Sequence, residues 1–218
     1  QDSFLLGAFN SRKANQVIKG LFPMPLGIYE IGREYTKDEL ECLDNLDWLN
    51  NIGNKSSTKN DVLNLPSMGF VKQFIEESID DYVAQTYDFE NNAKLHLTQS
   101  WANITKSGGH HHTHTHQNSI VSGTLYLKGN ENDIINFYDP VSNGMMNAPW
   151  HFPPKEFNVY NSKMWWMPAT VGTLYLWPSS VMHGVPKVEG KKNRYSLSFN
   201  TFVSGTIGSE HDLTQITI

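Results

Sequence analysis

Five of the nine histidines in this 218-residue chain fall within seven positions, as His110, His111, His112, His114 and His116 in GGHHHTHTHQN. Packing rarely calls for such density. On an extended backbone, residues two apart project to one face, so His114 and His116 can direct both imidazoles at a single ion. His112 and His114 have the same spacing. The later pair lies nearer the strand expected from Ser119, where a rigid backbone can fix ligand geometry. The alternative is a solvated His-rich loop with adventitious metal affinity.

A second constellation stands downstream, in GTLYLWPSSVMHGVPKVEGKKNRYSLSFN. It reads as a strand, a turn holding His183, another turn, and a long strand from Arg194. In that strand Arg194, Ser196, Ser198 and Asn200 share one face, and Tyr195, Leu197 and Phe199 share the other. A half-exposed strand would turn its polar row to water. In a small barrel that row can instead line the interior, where a buried guanidinium needs an anionic partner. Two parallel donors from Arg194 with the Ser196 hydroxyl beside them make a carboxylate clamp. The strand at Ser119 repeats the device, with Ser122, Thr124 and Tyr126 opposite Val121, Gly123, Leu125 and Leu127. Tyr126 either offers its phenol to the clamped ligand or is a core tyrosine.

These side chains must be held by a scaffold, and the chain's pattern divides it in two. The N-terminal part, about 21–90, reads as mainly helical. LFPMPLGIYEIGREY is a loop leading into a short strand. Thr36 with Glu39 is a capping box, and Leu40, Leu43, Leu46, Trp48 and Leu49 extend the expected helix over roughly 37–50. Asn50 to Asn64 is polar and reads as a surface loop. Val71, Phe74, Ile75, Ile79, Tyr82 and Val83 mark an amphipathic helix from Ser67 to near Tyr87. From about 93 to 205 the period becomes two. Strands are expected at Leu95 to Ile104, Ser119 to Leu127, Ile134 to Tyr138, Gly172 to Trp177 and Tyr195 to Val203. The pattern is that of a jelly roll or related barrel, mainly β, braced by two or more helices within a single domain, 1–218.

Composition limits the partners. A formal charge of −5, with 18% charged residues, gives no basic surface for nucleic acid, so none is expected. No apolar run approaches the ~20 residues of a membrane span. The single cysteine, Cys42, fits a reducing, cytoplasmic setting. A homodimer is compatible with everything above.

Taken in order, SWANITKSGGHHHTHTHQNSIVSGTLYL, INFYDP, GTLYLWPSSVMHGVP and NRYSLSFN resemble the 2-oxoglutarate and Fe(II)-dependent oxygenases, in particular a group from bacteria and phages. LFPMPLGIYEI and NDVLNLPSM look like that group's N-terminal part, so the resemblance runs from about residue 21 to 203. It implies a double-stranded β-helix (a cupin-like barrel) and a dioxygenase that uses Fe(II), 2-oxoglutarate and O2, hydroxylates a small-molecule or peptide substrate, and releases succinate and CO2. His183 matches the distal iron-binding histidine. Arg194 matches the residue that holds the far carboxylate of 2-oxoglutarate, with Ser196, Tyr126 and Asn103 assigned beside it. His114 matches the first histidine of the usual His-x-Asp pair, but His116 stands where the Asp belongs. Either three imidazoles hold the metal, or Asp139 reaches it; Asp139 precedes Pro140 in what reads as a turn, which favours the first.

The 139–168 stretch, rich in Pro, Met and Trp, is expected to form a lid or substrate wall, or else to plug the barrel's outside. His151, His96 and His211 read as structural or exposed. Two rivals stand beside the oxygenase. One is a cupin-like metalloprotein that ignores 2-oxoglutarate; Gly108 and His114-x-His116 resemble half of a cupin motif, but Ile120 and Val121 stand where its glutamate would be. The other is a non-enzymatic jelly-roll module of a virion or carbohydrate-binding surface.

Overall fold

The computed structural model describes residues 18–90, 92–139 and 153–218. The strands are β1 (Gly27–Glu30), β2 (Trp48–Asn50), β3 (Lys55–Ser57), β4 (Lys94–Thr105), β5 (His111–His114), β6 (Val121–Lys128), β7 (Ile134–Tyr138), β8 (Met164–Pro168), β9 (Thr173–Pro178), β10 (His183–Val185) and β11 (Arg194–Ser204), followed by a small ribbon of β12 (Thr206–Ile207) and β13 (Ile216–Thr217). They form a seven-stranded sheet in the order β1-β9-β6-β11-β4-β3-β2 and a four-stranded sheet in the order β5-β10-β7-β8. All the pairings within these two sheets are antiparallel. This is the expected double-stranded β-helix.

The large sheet has two dry faces with different contents. Leu125, Leu174, Leu176, Leu197 and Phe199 point outward and pack under Val71, Ile75 and Ile79 of helix α2 (Gly69–Thr86). Tyr126, Tyr175 and Trp177 point inward and meet Ile135 and Phe137 of the small sheet. The period-two alternation of the sequence is therefore not a choice between core and water. It separates an apolar layer, closed by the helix, from an inner layer that also carries the polar rows. Register assembles those rows: Ser196 sits opposite Asn103 on one side and Tyr126 on the other, and Asn200 sits opposite Gln99 and Ser122.

Two N-terminal expectations are corrected. The helix anticipated over 37–50 is only α1 (Lys37–Glu41), started by the expected Thr36–Glu39 capping box, and it tightens into a 3₁₀ turn over Cys42–Asn45. The spacing of Leu40, Leu43 and Leu46 by threes also fits a 3₁₀ turn, in which i and i+3 eclipse. Leu43 and Leu46 are buried, and Trp48 leaves on a strand to pack edge-on against Tyr195. The segment expected to be a surface loop over 50–64 instead completes a hairpin, β2–β3, with Gly53 at φ +85°. That hairpin extends the large sheet through β3 and β4, and the buried Val62 and Leu63 follow it. Its polar residues mislead because the strand pair is short and its pairing partners lie far along the chain. The five strands expected from the period of two are all present, while β5 and β10 are too short to show that period and β8, MWWMP, has no polar alternation.

Gly123 lies between Phe199 and Leu176, and a Cβ there would collide with Phe199 Cζ and come within 2.7 Å of Leu176 Cδ2. Gly123→Ala is therefore expected to cost roughly 1–3 kcal/mol of stability. Urea unfolding followed by circular dichroism measures it; an unchanged midpoint would mean that the outer layer is looser than described.

Candidate metal centre and co-substrate cavity

The two sheets bring histidines from distant parts of the chain together. His114 ends β5 and pairs with His183 at the start of β10, while His116 follows in the loop, tied by its backbone N–H to Ser179 O at 3.0 Å. One ligand atom from each of His114, His116 and His183 lies within 4.8 Å of those of the others.

Each ring is held the same way round. Nδ1 of His114 lies 2.8 Å from the His112 carbonyl oxygen, Nδ1 of His183 lies 3.1 Å from Val181 O, and Nδ1 of His116 lies 2.8 Å from Asn200 Oδ1. A carbonyl oxygen accepts, so Nδ1 carries the proton and Nε2 keeps its lone pair. Asn200 is itself oriented: its Oδ1 also accepts from Ser122 Oγ and its Nδ2 donates to Gln99 Oε1. Trp101 stacks on His116, and Trp177 meets His183 edge-on. Burial lowers the pKa of all three rings, His116 to about 4, which keeps them neutral and able to ligate. Nε2 of His116 and Nε2 of His183 stand 3.2 Å apart. Two lone pairs at that separation repel, and a cation among them removes the repulsion. The donor set thus suits a borderline metal ion.

Arg194 opens β11 and is 3% exposed. Its Nε and Nη1 are buried without a hydrogen-bond partner, and no described carboxylate lies within ion-pair distance of it. A buried cation of this kind is costly until an anion reaches it. The cavity it borders is also lined by Ser196, Asn103, Thr124, His111, His114, His116 and His183. Three converging imidazoles and a guanidinium with unpartnered nitrogens therefore border one space.

Residues 99–200 match the family model described as "Putative 2OG-Fe(II) oxygenase". Over that stretch, a little under half of the chain, the sequence is similar to this family. Among solved structures, its fold is similar to HygX of Streptomyces hygroscopicus with nickel, 2-oxoglutarate and hygromycin B bound, at 12% identity over 82% of each chain and a TM-score of 0.52. It is also similar to a Trichoplax adhaerens prolyl hydroxylase in complex with a hypoxia inducible factor peptide, at 12% identity over 81% of this chain and 83% of that one, with a TM-score of 0.53. Identities this low speak for fold alone. No curated protein sequence matches the chain.

The remaining anticipated residues take distinct positions. Asn103 is already engaged, accepting from Ser56 Oγ at 2.8 Å and donating to Ser198 Oγ at 3.1 Å. Tyr126 is fully buried beneath Arg194, whose guanidinium lies 4.8 Å from its ring centroid and interacts with its hydroxyl. Asp139 belongs to neither group of described residues that gathers at coordination distance; its backbone N–H bonds Lys163 O in the β7–β8 region. His96 and His211 are exposed. Of the 139–168 stretch, Pro140, Met145, Met146, Pro149, Trp150 and His151 lie outside the described residues, while Trp165 and Trp166 stand on β8 with much of their surface exposed. Sequence reasoning gives no role to Asn200, Trp101 or Asn51. The first two are within reach of the period-two rule, since Asn200 ends the row named on the last strand and Trp101 lies two residues from Asn103 on the strand expected over Leu95 to Ile104. Asn51 is not, because only the unforeseen hairpin carries it to the site.

The buried rings set a pH dependence. Free imidazole titrates near pH 6.5, so below that value the unfolded chain takes up protons that the folded chain refuses. Stability of the metal-free chain is expected to be full above about pH 6.5 and to fall as the pH drops toward about 5, while carboxylates are still ionised. Thermal unfolding in chelator measures this, and His116→Gln should shrink the loss. A melting temperature flat across that window would contradict the burial of these rings.

Proposed function

We propose that the domain holds Fe(II) through His114, His116 and His183 and seats 2-oxoglutarate with its far carboxylate on Arg194, hydroxylating a small-molecule or peptide substrate. The observation that carries this reading is a single one: three Nε2 lone pairs and an unpaired guanidinium face one cavity. Fe(II), when bound, would supply the activation of O2 coupled to decarboxylation of 2-oxoglutarate to succinate and CO2.

The chain's own residues supply position and charge. The His112 and Val181 carbonyls and Asn200 fix the tautomers of the three rings. Arg194 offers two donors to a carboxylate, and the Tyr126 face beneath it supports the cation. Ser196, next on the same face of β11, stands beside it to add a hydroxyl donor. Trp101, Trp177 and Phe137 wall the histidines with apolar surface, which excludes water and strengthens each electrostatic contact. A metalloprotein that ignored 2-oxoglutarate would leave the buried Arg194 without an anion, which disfavours the cupin-like alternative. Partners of both kinds are represented among the similar folds, hygromycin B in one and a peptide in the other.

Succinate formation from 2-oxoglutarate with Fe(II) tests the reading. Wild type should turn over, and Arg194→Ala should lose roughly a hundredfold or more in kcat/KM for 2-oxoglutarate. Arg194→Met should lose activity equally, yet unfold no more readily than wild type without co-substrate, because it removes an unpaired buried charge. Equal turnover in wild type and Arg194→Ala would remove the clamp.

A further inference from the structure

His111 is the one histidine of the cavity that the proposed chemistry leaves without work. It reaches the cavity through an irregularity of β5. His183 pairs with His114 and Val185 with His111, so two steps along β10 are matched by three along β5. A β-bulge of this kind turns His111 and His114 to the same side, which a regular strand would forbid. Gly184, opposite the bulge, has no room for a Cβ beyond contact at 3.1 Å with Thr113, so the two strands are closely apposed there.

The orientation of the ring is set from the β2–β3 hairpin. Asn51 Oδ1 accepts from the Ile52 N–H at 2.8 Å, which leaves Asn51 Nδ2 as the group facing His111 Nε2 at 3.3 Å. Nδ2 donates, so Nε2 accepts and the proton resides on Nδ1. That Nδ1–H has no hydrogen bond to any described residue. The ring borders the same cavity as Arg194 and the histidine triad, and feels the charge of Arg194.

His111, His112 and His114 also come within coordination distance of one another, which makes a second metal group conceivable. Two observations weigh against it. A metal on Nδ1 would force the proton to Nε2, against the Asn51 amide. It would also add a cation beside the unpaired Arg194 and compete for His114. A neutral donor facing a carboxylate satisfies both constraints.

We propose that His111 Nδ1–H donates a hydrogen bond to a carboxylate of 2-oxoglutarate seated between the histidine triad and Arg194, making His111 a co-substrate-binding residue delivered by the β5 bulge and set by Asn51. The proposal rests on the co-substrate reading above.

Calorimetric titration of 2-oxoglutarate into the Ni(II)-loaded chain, with metal content measured on the same samples, tests it without turnover. His111→Leu should retain one Ni(II) per chain and weaken 2-oxoglutarate binding about tenfold or more. His111→Gln, which keeps a donor, should recover much of the affinity and guards against misfolding of the Leu variant. Affinity unchanged in His111→Leu would overturn the proposal. Loss of nickel in either variant would overturn it too, by making the imidazole a metal ligand. If wild type itself binds nickel but no 2-oxoglutarate, the co-substrate reading falls first and takes this one with it.

Discussion

Three neutral imidazoles held with their lone pairs converging in a water-poor cavity are the constraint around which the rest of this fold is arranged. Left to themselves such rings would rotate, protonate or separate. Here each is locked by an acceptor behind it, two of them main-chain carbonyls and the third the Asn200 amide. The acceptors belong to three different stretches of chain, so the site exists only when β5, β10 and β11 are in register. Folding and the chemistry of the site are one problem in this molecule.

The strain of this arrangement is offset by the apolar layers on either side. The outer face of the large sheet, under α2, is filled by aliphatic side chains and Phe199, and the inner face holds aromatic side chains against the small sheet. Those layers allow the same sheet to tolerate a dry polar row that contains a guanidinium without a counter-charge. Anything anionic that binds there, and any cation that binds the rings, stabilises the folded state by mass action. Binding of either kind would therefore raise the melting temperature with ligand concentration.

Much of this architecture is legible in the amino-acid sequence, for a definite reason. Alternation in RYSLSFN and in the strand from Ser119 fixes which side chains share a face, and that depends only on local geometry. Arg194, Ser196 and Tyr126 therefore fall on the inner face as expected, although Tyr126 lies under the guanidinium and not along the cavity wall. The spacing rule also pairs His114 with His116, while the convergence of His183 on them is implied by the family resemblance. What stays hidden depends on long-range pairing. The β2–β3 hairpin looks like a polar loop until β4 is beside it, and with it Asn51 and Ser56 enter the site. The bulge in β5 breaks the period of two, so that rule cannot assign His111 to the cavity. The helix expected over 37–50 fails because a spacing of three serves a 3₁₀ turn as well as a helix.

His116 stands where the resemblance implies a carboxylate, which makes the ligand set itself the point to measure. X-ray absorption or a crystal structure of the Fe(II)-loaded chain reports it directly. Three imidazole nitrogens, from His114, His116 and His183, are predicted, with no protein carboxylate in the coordination sphere. A metal bound by fewer than three of these histidines, or by Asp139 in place of His116, would contradict that prediction.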